Sequence, residues 1–154
     1  MQSTRTLTGG CLCAATRYEI DDVSGFQAIC HCRMCQRASG SAFLGVRFVP
    51  GPHFRLTRGQ THHYASTPTL NRHFCPTCGS PVFVERHLTG NIAVVAGSLD
   101  DTSAFAPTMH ICVESETPWV AAAALLPRLD RKPEGMTPLA HYNPITGRAT
   151  MPKS

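Results

Sequence analysis

Long apolar runs are missing from this chain. The longest, Trp119 to Leu126, covers eight residues, far short of the roughly 20 that span a bilayer as a helix. The first ten residues, Met1 to Gly10, are polar and hold no apolar core of a secretory leader, so the expected location is cytoplasmic and no membrane is expected as a partner. Charge is sparse as well. Only 16% of residues are charged, 7% are aromatic, and the formal net charge is +4. The cations are dispersed and form no basic stripe with interleaved aromatics, so nucleic acid is not an expected partner either. Sustained helical periodicity and convincing internal repeats are also lacking. These absences exclude transmembrane, collagen-like, coiled-coil and disordered classes. What is left is a chain of 154 residues, long enough to bury roughly two-thirds of its unfolded surface in one core without disulfide staples.

Glycine and proline are plentiful, 12 of each. They punctuate short segments rich in Thr, Val, Ile, Phe and Tyr, the pattern of many short strands joined by turns. Strands are expected at Thr4 to Thr8 and Leu12 to Ile20, with Gly9-Gly10 as the hairpin turn between them. Further strands are expected at Phe26 to Cys32, Ala42 to Val49, His53 to Leu56, Thr61 to Tyr64, Leu70 to Phe74, Val82 to Glu85, Ile92 to Ala96 and Met109 to Glu114. Arg33 to Ser39 does not alternate and reads as one or two helical turns. Ala121 to Leu126 is the best helix candidate. The spacing suggests an antiparallel sandwich or an open barrel. A β domain over residues 1–126 is expected, followed by a proline-rich tail, 127–154, extended over the domain or trailing from it.

The cysteines carry the chemical information. Seven of eight fall into three clusters: Cys11-Leu12-Cys13, Cys30-His31-Cys32-Arg33-Met34-Cys35 and Cys75-Pro76-Thr77-Cys78-Gly79. The last is a zinc-knuckle sequence, in which proline stiffens the turn and glycine admits a positive φ. Without a secretory leader, metal is a better reading than disulfides. Zinc takes four ligands in a closed structural site, and Cys11, Cys13, Cys75 and Cys78 make one such set. Cys30, Cys32 and Cys35 supply only three thiolates, the number that leaves a catalytic zinc one open position. A zinc so rich in thiolate activates water poorly and is better suited to holding a further thiol as a nucleophile. A second structural zinc, completed by Cys112 or a histidine, is the competing reading. His31 lies between two of the ligands on the opposite strand face, which suits an orienting or packing role.

Taken together, the segments Gly9-Gly10-Cys11-Leu12-Cys13, Cys30 to Cys35, Gly40-Ser41-Ala42-Phe43, Phe74 to Gly79, Ala96-Gly97-Ser98-Leu99-Asp100 and His110-Ile111 through Pro118-Trp119 resemble the glutathione-dependent formaldehyde-activating enzyme family, which includes centromere protein V-like proteins. The resemblance implies a mostly β, Mss4-like "β-tent" fold of several small sheets. It implies two zinc ions per chain, a structural one on Cys11, Cys13, Cys75 and Cys78 and a catalytic one on Cys30, Cys32 and Cys35. It also implies a carbon–sulfur lyase of the S-hydroxymethylglutathione synthase type, whose partners are a glutathione-like thiol and a small aldehyde. Two positions depart from the family's pattern: Ala14 stands where glycine is usual, and Glu116 where a basic residue is common.

Two other functions compete. One is a non-enzymatic zinc module that binds through its surface. The other is a thiol redox enzyme that uses Cys112, although Ile111 and Val113 beside it favour an inert core thiol. For the enzyme reading, Arg33, Arg37, Arg47 and Arg72 are the candidate cations for an anionic thiol.

Overall fold

A computed structural model of the chain describes residues 5–130, 135 and 141–150. In chain order the strands are β1 (Thr6–Gly10), β2 (Arg17–Asp21), β3 (Gln27–Cys30), β4 (Leu44–Pro50), β5 (Phe54–Arg58), β6 (His62–Thr67), β7 (Leu70–Phe74), β8 (Pro81–Arg86), β9 (Asn91–Val95), β10 (Met109–Ile111), β11 (His141–Asn143) and β12 (Arg148–Thr150). Two short α-helices, α1 (Arg33–Ser39) and α2 (Trp119–Ala123), accompany them. The protein is mostly β, with several small sheets and little helix, as the sequence implied. Among the described residues no helix is long and apolar enough to cross a membrane.

Three sheets form. β1, β2 and β5 make the first, and β11 pairs with β12 in the third. The large one runs β10-β3-β4-β9-β8-β7-β6. Its middle strands are buried on both sides and so read as continuous apolar runs. Along β9, Ile92 and Val94 enter one core with Leu7, Tyr18, Ile20 and Phe83. Ala93 and Val95 enter a second core with Ala28, Leu44, Val46 and Val84. Each core also carries one cysteine cluster: Cys11 and Cys75 lie in the first, and Cys30 and Cys35 in the second. One sheet thus separates two groups of thiols.

Four expectations need correction. Gly9 and Gly10 do not turn the chain. They are the last residues of β1, in register with Tyr18 and Arg17, and the connection is the segment Cys11 to Thr16. Gly9 is small for a different reason, since a Cβ there would sit 2.5 Å from the Ser98 carbonyl oxygen and collide with the Tyr18 ring. The strand expected to reach Glu114 stops at Ile111, because Cys112 takes a left-handed conformation (φ 57°) that a ladder cannot hold. β10 pairs with β3 in parallel, so the large sheet is mixed rather than antiparallel throughout. Finally, α2 begins at Trp119, earlier than expected, and ends at Ala123.

The tail past Pro127 is only partly within the described residues. Where it is described, at 141–150, it is not a single extended segment but the β11–β12 hairpin. That hairpin rests on the first cysteine cluster. The Tyr142 hydroxyl donates to the Leu12 carbonyl at 2.6 Å, and Arg17 Nη1 donates to the Pro144 carbonyl at 3.2 Å.

Candidate metal centres

The first group is assembled by two turns. Cys11 and Cys13 lie in the β1–β2 connection, where the Thr16 N–H donates to the Cys11 Sγ at 3.2 Å and the Cys11 N–H donates to the Thr16 carbonyl at 3.1 Å. Ala14 takes φ 59° inside this turn. It reaches the left-handed conformation that glycine adopts freely, at a cost of roughly 1 kcal/mol. Cys75 and Cys78 lie in the β7–β8 connection, where Gly79 takes φ 75° and donates to the Cys75 carbonyl at 2.9 Å. The four Sγ atoms all lie within 4.8 Å of one another. Cys11 and Cys13 are 3.6 Å apart, and Cys13 and Cys75 3.8 Å. Tetrahedral zinc with bonds of about 2.3 Å puts neighbouring sulfurs about 3.8 Å apart, so this donor set fits such an ion.

Burial alone would oppose ionisation of these thiols. At Cys78 the Ser80 hydroxyl, 3.2 Å from Sγ, with the Ser80 and Cys13 backbone amides, outweighs that cost and brings the thiol down to about 6. Cys75 is lowered for similar reasons: burial opposes, while the amides of Cys78 and Thr77 prevail. The β7–β8 turn therefore favours the thiolate form of its two cysteines, whereas Cys13 in the other turn is pushed up to about 12, the Ala15 amide being outweighed by burial and the neighbouring thiols.

The second group is local. Cys30 ends β3, Cys32 caps α1, and Cys35 sits in the helix's first turn. The Cys32 Sγ accepts from the Cys35 N–H at 3.3 Å, the bond that caps the helix. The sequence placed Cys32 on a strand; the chain has already left the strand there. All three sulfurs lie within 4.8 Å of one another, and neither Cys112 nor a histidine belongs to the set. Cys112 is half-buried and packs against the same core. Cys32 is lowered, because the Cys35 amide and its neighbouring thiols outweigh burial. Cys30 and Cys35 are raised, chiefly by burial. Three converging sulfurs without a fourth fit a zinc that keeps one position for an outside ligand.

Of the four candidate arginines, Arg72 approaches this group. Its Nη2 lies 3.8 Å from the Cys35 Sγ, and its Nε is buried without a partner. Arg33 and Arg37 line a cavity of about 430 Å³ with Gln36, Ser41, Thr117 and Trp119. Arg47 takes no part. It is buried and bonded to Asp22 at 2.5 Å and to the Ala104 carbonyl at 3.1 Å, so it locks the loop after β2 to the loop before β10. A smaller cavity of about 210 Å³ is lined by Ala38, Leu44, Tyr64, Arg72, Phe83 and Val95. Leu44 and Val95 also pack around Cys30 and Cys35.

Sequence reasoning missed the hairpin that covers the first group, and it did not single out Arg72 from the other three candidate arginines. It also missed Gln36, whose buried amide donates to the carbonyls of His31 and Ser115 at 2.6 and 2.8 Å. Glutamine within a helix turn carries no local mark of such a role.

Residues 6–115 match the family described as glutathione-dependent formaldehyde-activating enzyme. Among solved structures, the chain is similar to a Rhodobacter sphaeroides protein at 22% identity and a TM-score of 0.55. That likeness covers 67% of this chain and 98% of the other, and it shows a shared fold.

Proposed function

Because the chain belongs to the glutathione-dependent formaldehyde-activating enzyme family, we propose that it joins a thiol, glutathione or a close relative, to formaldehyde or another small aldehyde at Cys30, Cys32 and Cys35. The reaction is that of a carbon–sulfur lyase run in the adding direction. One observation carries this reading: the three sulfurs converge, and among the described residues no fourth ligand joins them. Two zinc ions per chain are proposed, the structural one on Cys11, Cys13, Cys75 and Cys78, the catalytic one on Cys30, Cys32 and Cys35.

Cys30, Cys32 and Cys35 would hold the zinc, which would supply a Lewis acid able to keep an incoming thiol deprotonated at neutral pH. Addition of that thiol across the aldehyde would form the carbon–sulfur bond, move the carbonyl π pair to oxygen and place a proton there from solvent, which takes up the one the thiol loses. Arg72 places its guanidinium 3.8 Å from the Cys35 sulfur, where it balances the charge of the ligand thiolates. Leu44, Phe83 and Val95 wall a space of about 210 Å³, large enough for a small aldehyde. Arg33 and Arg37 line a larger cavity whose charge suits the carboxylates of a peptide thiol. A reducing compartment such as the cytoplasm keeps all eight cysteines free.

Substituting Co2+ at the thiols gives sulfur-to-cobalt absorption that reports each ligand. Glutathione should intensify that absorption in wild type, formaldehyde should reverse the gain, and Cys35→Ser should abolish both. Absorption indifferent to glutathione would instead make the second group a structural site.

A further inference from the structure

A third set of ligand-type side chains lies on the far side of the segment that carries Cys30 and Cys32. His31, His110 and Glu116 each offer one ligand atom, and these atoms lie within 4.8 Å of one another. His31 is fully buried. Its Nε2 is 2.8 Å from Nδ1 of His110, and the two ring planes are 22° from parallel. Its Nδ1 is buried with no hydrogen-bond partner, although the Glu116 Oε1 stands 3.9 Å away. That separation is too long for a hydrogen bond, and a buried polar atom is ordinarily paired.

The backbone holds these three residues together on purpose-built supports. Parallel pairing of β10 with β3 sets His110 beside Ile29, and His31 N–H donates to the Ile111 carbonyl at 3.0 Å. The Gln36 amide bridges the His31 and Ser115 carbonyls, which fixes the residue before Glu116 against His31. The left-handed Cys112 bends the chain between His110 and Glu116, so both face the same imidazole. Two stretches distant in sequence, one around His31 and one from His110 to Glu116, thus meet at one ring.

From this arrangement we propose a third metal site, distinct from both thiol groups, in which His31, His110 and Glu116 take a divalent transition ion of the zinc class. Two imidazoles and one carboxylate are borderline-hard donors, which suit Zn2+, Co2+ or Ni2+ and disfavour Ca2+ and Mg2+. His110 and Glu116 are exposed while His31 is buried, so the ion is anchored from beneath and meets solvent above, where water fills its remaining positions. The carboxylate gives the site one negative charge against the ion's two positive ones. The occupied site is therefore a cationic spot one residue away from the proposed catalytic thiols.

Glu116→Gln and His110→Ala test it, since both side chains are exposed and neither supports the core. Wild type and variants are equilibrated with buffered Zn2+, and metal per chain is counted. Wild type should retain one equivalent more than either variant, and the variants should bind that ion at least tenfold more weakly. Repeating the titration with Co2+ separates the sites, because the third ion should add visible d–d absorption without sulfur-to-cobalt intensity. Equal counts in wild type and both variants would overturn the site. So would an extra ion whose absorption shows sulfur ligation. Neither outcome depends on whether glutathione perturbs the Cys30 group.

Discussion

Asp100 shows how much a single side chain holds at the junction of the small sheet, the tail and the first thiol group. Its carboxylate receives Arg17 Nη1 at 2.9 Å and the Thr8 hydroxyl at 2.5 Å, and its own N–H donates to the Thr8 carbonyl at 3.0 Å. Both partners of the ion pair are mostly buried, with side-chain exposures of 11% for Arg17 and 14% for Asp100. Burial resists the charge on Asp100, but the Arg17 guanidinium and the Thr8 hydroxyl outweigh it and hold the carboxyl below its ordinary range. Asp100→Asn would leave the Arg17 cation buried and unpaired, which should cost about 3 kcal/mol, read from urea unfolding at pH 7. A carboxyl whose folded pKa is depressed contributes stability above its unfolded value of about 3.9, and loses it as pH falls through the folded value. The gap between wild type and variant should therefore be full at neutral pH and close below about pH 4. A gap that persists unchanged at pH 3 would mean the cost lies in packing rather than charge.

At the scale of elements, the turns and the hairpin decide which features the sequence could reveal. Cys75-Pro76-Thr77-Cys78-Gly79 was readable because its chemistry is local: the sulfurs, the stiffening proline and the positive-φ glycine (φ 75°) are neighbours in the chain. Strand Leu70–Phe74 was readable for the same reason. Gly9-Gly10 was misread because a glycine needed for close approach and a glycine needed for a turn look alike until Tyr18 is seen crossing it. Nothing local marks the pairing of β10 with β3, nor the docking of β11–β12, since each depends on partners tens of residues away. Gly147 makes that docking testable. It takes φ 65°, and a Cβ there would lie 2.8 Å from the Cys13 Cα, so Gly147→Val should lift the hairpin from the first thiol group. Tyr142→Phe removes only the hydrogen bond to Leu12, worth about 1 kcal/mol. Competition with a zinc chelator should show roughly fivefold faster loss from the first group in Tyr142→Phe, if that energy is expressed in release, and a larger effect in Gly147→Val. Release at wild-type rates in both would show that the hairpin merely rests there.

For the whole molecule, the two thiol groups differ in what they connect. The first joins the β1–β2 turn to the β7–β8 turn, with Cys13 and Cys75 separated by 62 residues, and thereby clips the small sheet to the large one. The second joins residues only five positions apart along one stretch of chain. Closing a long loop removes more freedom from the unfolded chain than closing a short one, and by the entropy relation used for cross-links a loop of this length is worth about 4 kcal/mol. Metal held in the first group would therefore be folding energy for the entire protein, while metal in the second, as proposed above, would chiefly serve chemistry. Cys75→Ser should lower the melting temperature by roughly 10 °C or more for a chain of this size. Cys32→Ser should barely move it, because serine is itself a good helix cap and takes over the bond that Cys32 makes to the Cys35 N–H. Progressive chelation should run in the same order, removing the second metal with circular dichroism unchanged and then the first with cooperative unfolding. Melting that falls more for Cys32→Ser than for Cys75→Ser would reverse the assignment of which group holds the fold.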